Sequence, residues 1–175
     1  ANVFTGSEGQ TAVKEIAKAV SAALKCPTSS VFMASTGVIG EKLNYKKIIT
    51  KIPKMSENLK EGNWNKAATA ITTTDTFPKG ASEVALIGNK KIQITGIAKG
   101  SGMIAPDMAT MLSFIFTDAN IPSSILQTLL SRNVQNTFNA ITVDSDASTS
   151  DTLLLFATGA AKSIAPTSAD DPVLK

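Results

Sequence analysis

Hydroxyl nucleophiles are the chemistry this chain could offer, and they gather in four short segments. These are Ser35-Thr36-Gly37, Thr72-Thr73-Thr74-Asp75-Thr76, the loop from Lys99 to Thr110, and the stretch from Thr142 to Thr152. Each sits where an expected element ends. Taken singly, each reads as a turn or a helix cap, because Ser, Thr, Asp and Gly are the usual residues of turns. The 175 residues hold no His and a single Cys, Cys26. That removes His-ligated metal sites, Ser/His/Asp and Cys/His catalytic arrangements, and any internal disulfide. A nucleophile drawn from the four segments therefore needs a base other than imidazole. Two familiar loops are absent as well: Lys99-Gly100-Ser101-Gly102 lacks the Gly-Lys-Ser/Thr ending of a Walker A sequence, and Asp144, Asp146 and Asp151 lack the central Gly and terminal Glu of an EF-hand.

The elements that must position these segments follow from hydrophobic periodicity. Ser7 to Lys25 reads as an amphipathic helix with a capping box (Ser7, Gln10) and an apolar stripe of Val13, Ile16, Ala17, Val20 and Leu24, ended by Pro27. Val31 to Ala34 reads as a short strand. Helical pieces are expected from about Asn44 to Leu59 and from Trp64 to Ile71. The Lys-rich stretch Lys42 to Lys66, interspersed with Glu57 and Glu61, reads as a solvated face rather than a basic binding patch. Glu83 to Ile87 and Lys91 to Ile97 flank Gly88-Asn89 and form a hairpin. A strand from Met111 to Thr117, a helix from Ser123 to about Asn139 and a strand near Leu153 to Thr158 complete the pattern. One hairpin without a regular βαβ repeat makes the fold class α+β rather than doubly wound.

Composition bounds the partners. With 43% hydrophobic residues and a mass of 18.2 kDa, the chain can bury one core. Sixteen of its seventeen basic residues are Lys, Arg132 being the exception, at a net charge of +3. This argues against nucleic acid, whose readers use Arg forks and aromatic platforms. Apolar runs such as Leu153 to Ala157 fall far short of the ~20 residues a membrane helix needs, so no membrane partner is expected.

Taken together, the segments form a pattern. The run from Lys99 through Gly100-Ser101-Gly102-Met103-Ile104-Ala105-Pro106-Asp107-Met108-Ala109-Thr110 to Leu112 closely resembles the self-cleavage region of the ornithine acetyltransferase family, the bifunctional glutamate N-acetyltransferases and N-acetylglutamate synthases of arginine biosynthesis. Ser35 to Gly40, Thr73 to Thr76 with Pro78-Lys79, and the loop from Asp144 to Thr152 are similar to three further motifs of that family in the same order. The resemblance spans essentially the whole chain. Asp107 stands where the family commonly has Asn, and Ser145 and Ser150 where it has Gly and Asn.

The resemblance implies a layered α/β sandwich of the N-terminal-nucleophile type and self-cleavage between Ala109 and Thr110. It also implies transfer of an acetyl group from N-acetylornithine to glutamate through Thr110, without a cofactor, and it allows acetyl-CoA as a further acetyl donor. The absence of His fits this logic: a Thr at a new N-terminus can use its own α-amine, of reference pKa ~7.7–8.0, as base. By the same resemblance the hydroxyl of Thr36 and the N–H of Gly37 stabilise the oxyanion, and Thr73 and Lys99 bind substrate. It further implies a cytoplasmic location and an assembly of two α and two β chains cut from one precursor. Family members extend before Ala1 and continue beyond Lys175 to a substrate-binding Glu. Residues 1–175 accordingly read as a single-domain fragment, with 1–109 ending the α-chain region and 110–175 beginning the β-chain region. Such a fragment is expected to transfer little acetyl. Two other readings stay open: a related N-terminal-nucleophile aminopeptidase or hydrolase that delivers the acyl group to water, and a catalytically silent module.

Overall fold

The computed structural model describes residues 2–101, 110–141 and 148–174. Its frame begins with the hairpin. β1 (Lys79–Ile87) and β2 (Lys90–Lys99) pair antiparallel from Ile87↔Lys90 to Lys79↔Ala98, so both strands are longer than their apolar alternation suggested. Gly88 turns the chain at φ +57°, a conformation that suits a residue without Cβ. β3 (Leu112–Thr117) joins β2 antiparallel, and β4 (Thr152–Ala157) joins β3 in parallel, giving the order β1-β2-β3-β4. The fold is mixed α+β, as the pattern indicated.

A parallel pair requires a crossover, and here it contains α5 (Ser123–Asn133). This helix is shorter than its sequence pattern promised. Beyond Asn133 the chain continues in two 3-10 turns, Val134–Asn136 and Phe138–Ala140. The amide of Asn133 donates to the Leu129 carbonyl and the hydroxyl of Thr137 to the Asn133 carbonyl, so side chains compete for the helix's acceptors.

The N-terminal helix α1 (Gly6–Leu24) is close to expectation in extent but not in its cap or its face. Thr5 precedes it and Ser7 lies within it, so the Ser7/Gln10 capping box does not form. Its buried residues are Gly9, Ala12 and Ile16, whereas Val13 and Leu24 are exposed. The stripe read from the sequence is rotated because α1 packs on the short helices α2 (Tyr45–Ile49) and α3 (Ile52–Glu57) rather than on a sheet. Those two were expected as one helix. Pro53 has no N–H to continue the ladder from α2, and the helix restarts there. α4 (Trp64–Ala70) matches its reading, and the lysines between Lys42 and Lys66 are exposed.

Val31 to Ala34 is not a strand: it pairs with no other strand among the described residues. Its role is aromatic packing. Phe32 meets Phe156 edge-on at 5.7 Å, Phe156 stacks on Phe116 at 5.1 Å, and Phe116 meets Trp64 of α4 at 5.3 Å. By strand alternation Phe116 and Phe156 share the sheet face of Lys99. The aromatic row therefore fastens α4 and the 31–34 segment over that face, each followed directly by one of the hydroxyl-rich turns. At the hairpin end of the sheet Ile87, Ile92 and Ala119 form a buried cluster against Ile121, Val173 and Leu174. Among the described residues, no helix is long and apolar enough to cross a membrane.

Candidate active site

The C-terminal end of β2 and the N-terminal ends of β3 and β4 meet at one end of the sheet, and the hydroxyl-rich segments converge there. Lys99 closes β2 opposite Leu112 and is only 1% exposed. Its ammonium donates to Thr36 Oγ1 at 3.2 Å and Thr73 Oγ1 at 3.4 Å. Residues 63 and 26 positions away in sequence thus share one cation. Gly37, next to Thr36, sits at φ +131°, a backbone conformation that excludes a side chain at little cost only for glycine.

Charge at this end is tightly managed. Burial pushes the Lys99 ammonium below its usual range, opposed by the carboxylates of Asp75 and Asp151. Among the described residues no carboxylate lies within ion-pairing distance of it, so its direct partners are neutral hydroxyls. Asp75 has the opposite circumstance. Its side chain is fully covered and accepts from Lys79 Nζ, from the Gly100 N–H at 2.8 Å and from the Thr73 N–H at 3.3 Å. Burial pushes its carboxyl up, but these donors outweigh that cost and hold it at about 2, against 3.8 in the free side chain. One carboxylate therefore ties the Thr73 turn to the residue that follows Lys99. Ser101 adds a second tie, donating to the Thr74 carbonyl at 3.1 Å.

Thr110 lies two residues before Leu112, the β3 partner of Lys99, and is 2% exposed. Its hydroxyl is 3.0 Å from that of Ser148, and the next amide, Met111 N–H, donates to Asp151 Oδ1 at 2.9 Å. Of the residues singled out in the sequence, Thr36, Thr73 and Lys99 are in direct hydrogen-bond contact, with Gly37 adjoining them and Thr110 at the same end of the sheet. Ala109 and the rest of 102–109 fall outside the described residues, as do 142–147 with Asp144, Ser145 and Asp146. Sequence reasoning named the segments of Asp75, Ser148 and Asp151 but assigned these residues no part in the site. A lone carboxylate among threonines, four residues before a lysine, was the available signal for Asp75. Nothing in the pattern marked Ser148 above its neighbours.

The arrangement can hold an anion and present a hydroxyl. It contains a buried cation, two hydroxyls on that cation and a third, buried hydroxyl two residues ahead of the adjoining strand. Among the described residues no group of His, Cys, Asp and Glu could hold a metal ion. A separate groove of about 370 Å³ runs beside Ala81, Ile94, Gly96, Ile115 and Phe138. By strand alternation Ile94, Gly96 and Ile115 point to the face opposite Lys99, so this groove is not the site.

The ArgJ family model matches residues 1–173. The chain is 56% identical over 174 residues to the arginine biosynthesis bifunctional protein ArgJ of Bartonella quintana (strain Toulouse), across 98% of this chain and 42% of that protein. It is 56% identical over 161 residues to the protein of the same name in Brucella suis biovar 1 (strain 1330), across 92% and 39%. Against that of Gluconobacter oxydans (strain 621H) it is 52% identical over 174 residues, across 99% and 41%. The chain thus spans about two fifths of the length of the curated relatives it matches.

Proposed function

The chain belongs to the ArgJ family, and from that premise we propose that it is part of an acetyltransferase of arginine biosynthesis whose nucleophile is Thr110. In this reading the protein cleaves itself between Ala109 and Thr110. The Thr110 hydroxyl attacks the Ala109 carbonyl carbon, the peptide C–N bond gives way to an ester as the proton passes to the nitrogen and frees the α-amine, and water then hydrolyses the ester to release the Ala109 carboxylate and restore the Thr110 hydroxyl. That amine is then the base a chain without His requires. Thr110 takes acetyl from N-acetylornithine, releases ornithine, and gives the acetyl to glutamate. The Thr36 hydroxyl and Gly37 N–H stabilise the tetrahedral oxyanions.

The observation that carries the reading is the buried Lys99 ammonium held by Thr36 and Thr73 at the strand end where Thr110 begins. A cation of that kind, with neutral partners and no ion pair among the described residues, suits the carboxylate of an amino-acid substrate. Self-cleavage would not separate the halves. β2 and β3 lie on opposite sides of the cleavage point and pair over six residues, Ile94↔Thr117 to Lys99↔Leu112. The same reading extends to an assembly of two α and two β chains in the cytoplasm, and to acetyl-CoA as a second donor.

The test is an assay of the full-length protein with N-acetylornithine, with and without glutamate. Ornithine release that depends on glutamate and yields N-acetylglutamate is the expected result. Release at the same rate without glutamate would make the protein a hydrolase.

A further inference from the structure

The segment from Thr142 to Thr152 supplies no residue to the reaction proposed above, yet its described part, from Ser148 onward, closes directly on Thr110. The Ser148 hydroxyl meets the Thr110 hydroxyl at 3.0 Å. It also accepts the Ser150 N–H at 3.2 Å, so a local turn fixes where Ser148 points. Three residues on, Asp151 takes the Met111 N–H at 2.9 Å, and the Thr152 N–H donates to the Met111 carbonyl at 3.0 Å, opening the β3–β4 pairing. One short turn therefore grips the hydroxyl of Thr110 and both polar backbone groups of the residue after it. Asp151 also faces Lys99 electrostatically, linking this turn to the cation of the site.

We propose that Ser148 is a catalytic residue that orients the Thr110 hydroxyl, and that Asp151 is a positioning residue that fixes the adjoining amide. The proposal rests on the reading of Thr110 as nucleophile. A threonine hydroxyl has three staggered χ1 positions, and only one geometry brings a lone pair to an acyl carbon. At 2% exposure Thr110 has little access to bulk water that could satisfy its proton. Donating a hydrogen bond to Ser148 fixes the hydroxyl and leaves the oxygen lone pairs free for attack, the proton itself leaving to the scissile nitrogen in self-cleavage and to the α-amine in acetyl transfer. Ser148 can accept that hydrogen bond because the Ser150 N–H occupies one of its two lone pairs and leaves the other open. Asp151 acts through the backbone: holding Met111 N–H sets the strand from which Thr110 projects.

The experiment uses the full-length protein with Ser148→Ala, Ser148→Cys, Ser148→Thr, Asp151→Ala and Asp151→Asn, followed by thermal melting, by intact mass for the break at Thr110, and by kcat and KM for acetyl transfer. Ser148→Ala and Ser148→Cys are expected to slow both the break and kcat about 10- to 100-fold with KM unchanged. Ser148→Thr, which keeps a hydroxyl, should recover most of the loss. Asp151→Asn keeps an acceptor for Met111 N–H and should retain more kcat than Asp151→Ala. Cys is nearly isosteric with Ser, so that variant decides the matter should the alanine variant not fold. Parent-like rates in Ser148→Cys, or a threonine variant as slow as the cysteine one, would overturn the proposal while leaving Thr110 in place. A parent protein that neither breaks at Thr110 nor transfers acetyl would overturn the nucleophile reading itself, and this proposal with it.

Discussion

At the end of the sheet where β1 turns into β2, Ile87, Ile92 and Ala119 are buried among Ile121, Val173 and Leu174; at the other end Lys99 is buried just as deeply, against two threonine hydroxyls. The first arrangement follows from the hydrophobic effect alone, since any set of apolar side chains filling that volume would serve. The second works against folding. An ammonium taken out of water loses hydration that two neutral hydroxyls at 3.2 and 3.4 Å replace only in part. Four strands shared by both ends make the contrast an internal control. What is kept at the polar end despite its cost is kept for something other than stability, which is the pattern of a functional site.

Four changes sharpen or break that contrast. The largest effect on folding is expected at the apolar end: Ile92→Ala should lower unfolding free energy by about 2–5 kcal/mol in a urea titration, without slowing catalysis by the folded fraction. The largest effect on rate is expected from Thr36→Ala, which removes an oxyanion donor worth about 2.7–4 kcal/mol of barrier. Self-cleavage and acetyl transfer should both slow by about 10²–10³-fold while the melt stays near the parent's. Unchanged rates would return Thr36 to the role of an ordinary turn residue. Lys99→Met should slow transfer by less, about 10- to 100-fold for a lost charged donor, yet leave unfolding free energy unchanged or raised, because an apolar side chain replaces a buried charge. A loss of stability as large as that of Ile92→Ala would make Lys99 a structural residue and erase the difference between the two ends.

The smallest effect is a pH dependence. Asp75 titrates at about 2 in the folded protein against 3.8 unfolded, so between those values the unfolded chain binds the extra proton and stability falls as pH falls. Its contribution should be complete above the unfolded value and lost on descending through about 2. Thermal midpoints measured across acid pH should show this slope in the parent and a shallower one in Asp75→Asn. Equal slopes would mean that Asp75 gains nothing from Lys79, Gly100 and Thr73.

Much of the frame was legible because its signals are local. Gly88-Asn89 between alternating strands marks the hairpin, and the Ser123 helix and the Leu153 run stand out by period. The failures share a cause. The rotated face of α1, the break at Pro53 within the expected Asn44–Leu59 helix, and the unpaired Val31–Ala34 segment all depend on which neighbour the element meets, and periodicity does not name neighbours. At the site, the family resemblance, and not the residue pattern alone, pointed to Thr36, Gly37, Thr73, Lys99 and Thr110. Asp75, Ser148 and Asp151 were missed as individuals because their importance lies in contacts 25, 38 and 40 residues away in sequence. In the sequence Ser148 and Asp151 look like ordinary turn residues, and only the placing of Asp75 among threonines ahead of Lys79 offered a signal.

The most direct test of the account is the intact mass of the full-length protein beside its Thr110→Ala variant, each purified under native conditions and then denatured for measurement. The parent should give two chains, the second beginning at Thr110, that co-purify through the β2–β3 pairing until denatured, and Thr110→Ala should give one unbroken chain. An unbroken parent, or a Thr110→Ala variant cut at the same bond, would contradict the claim that this end of the sheet carries a threonine nucleophile.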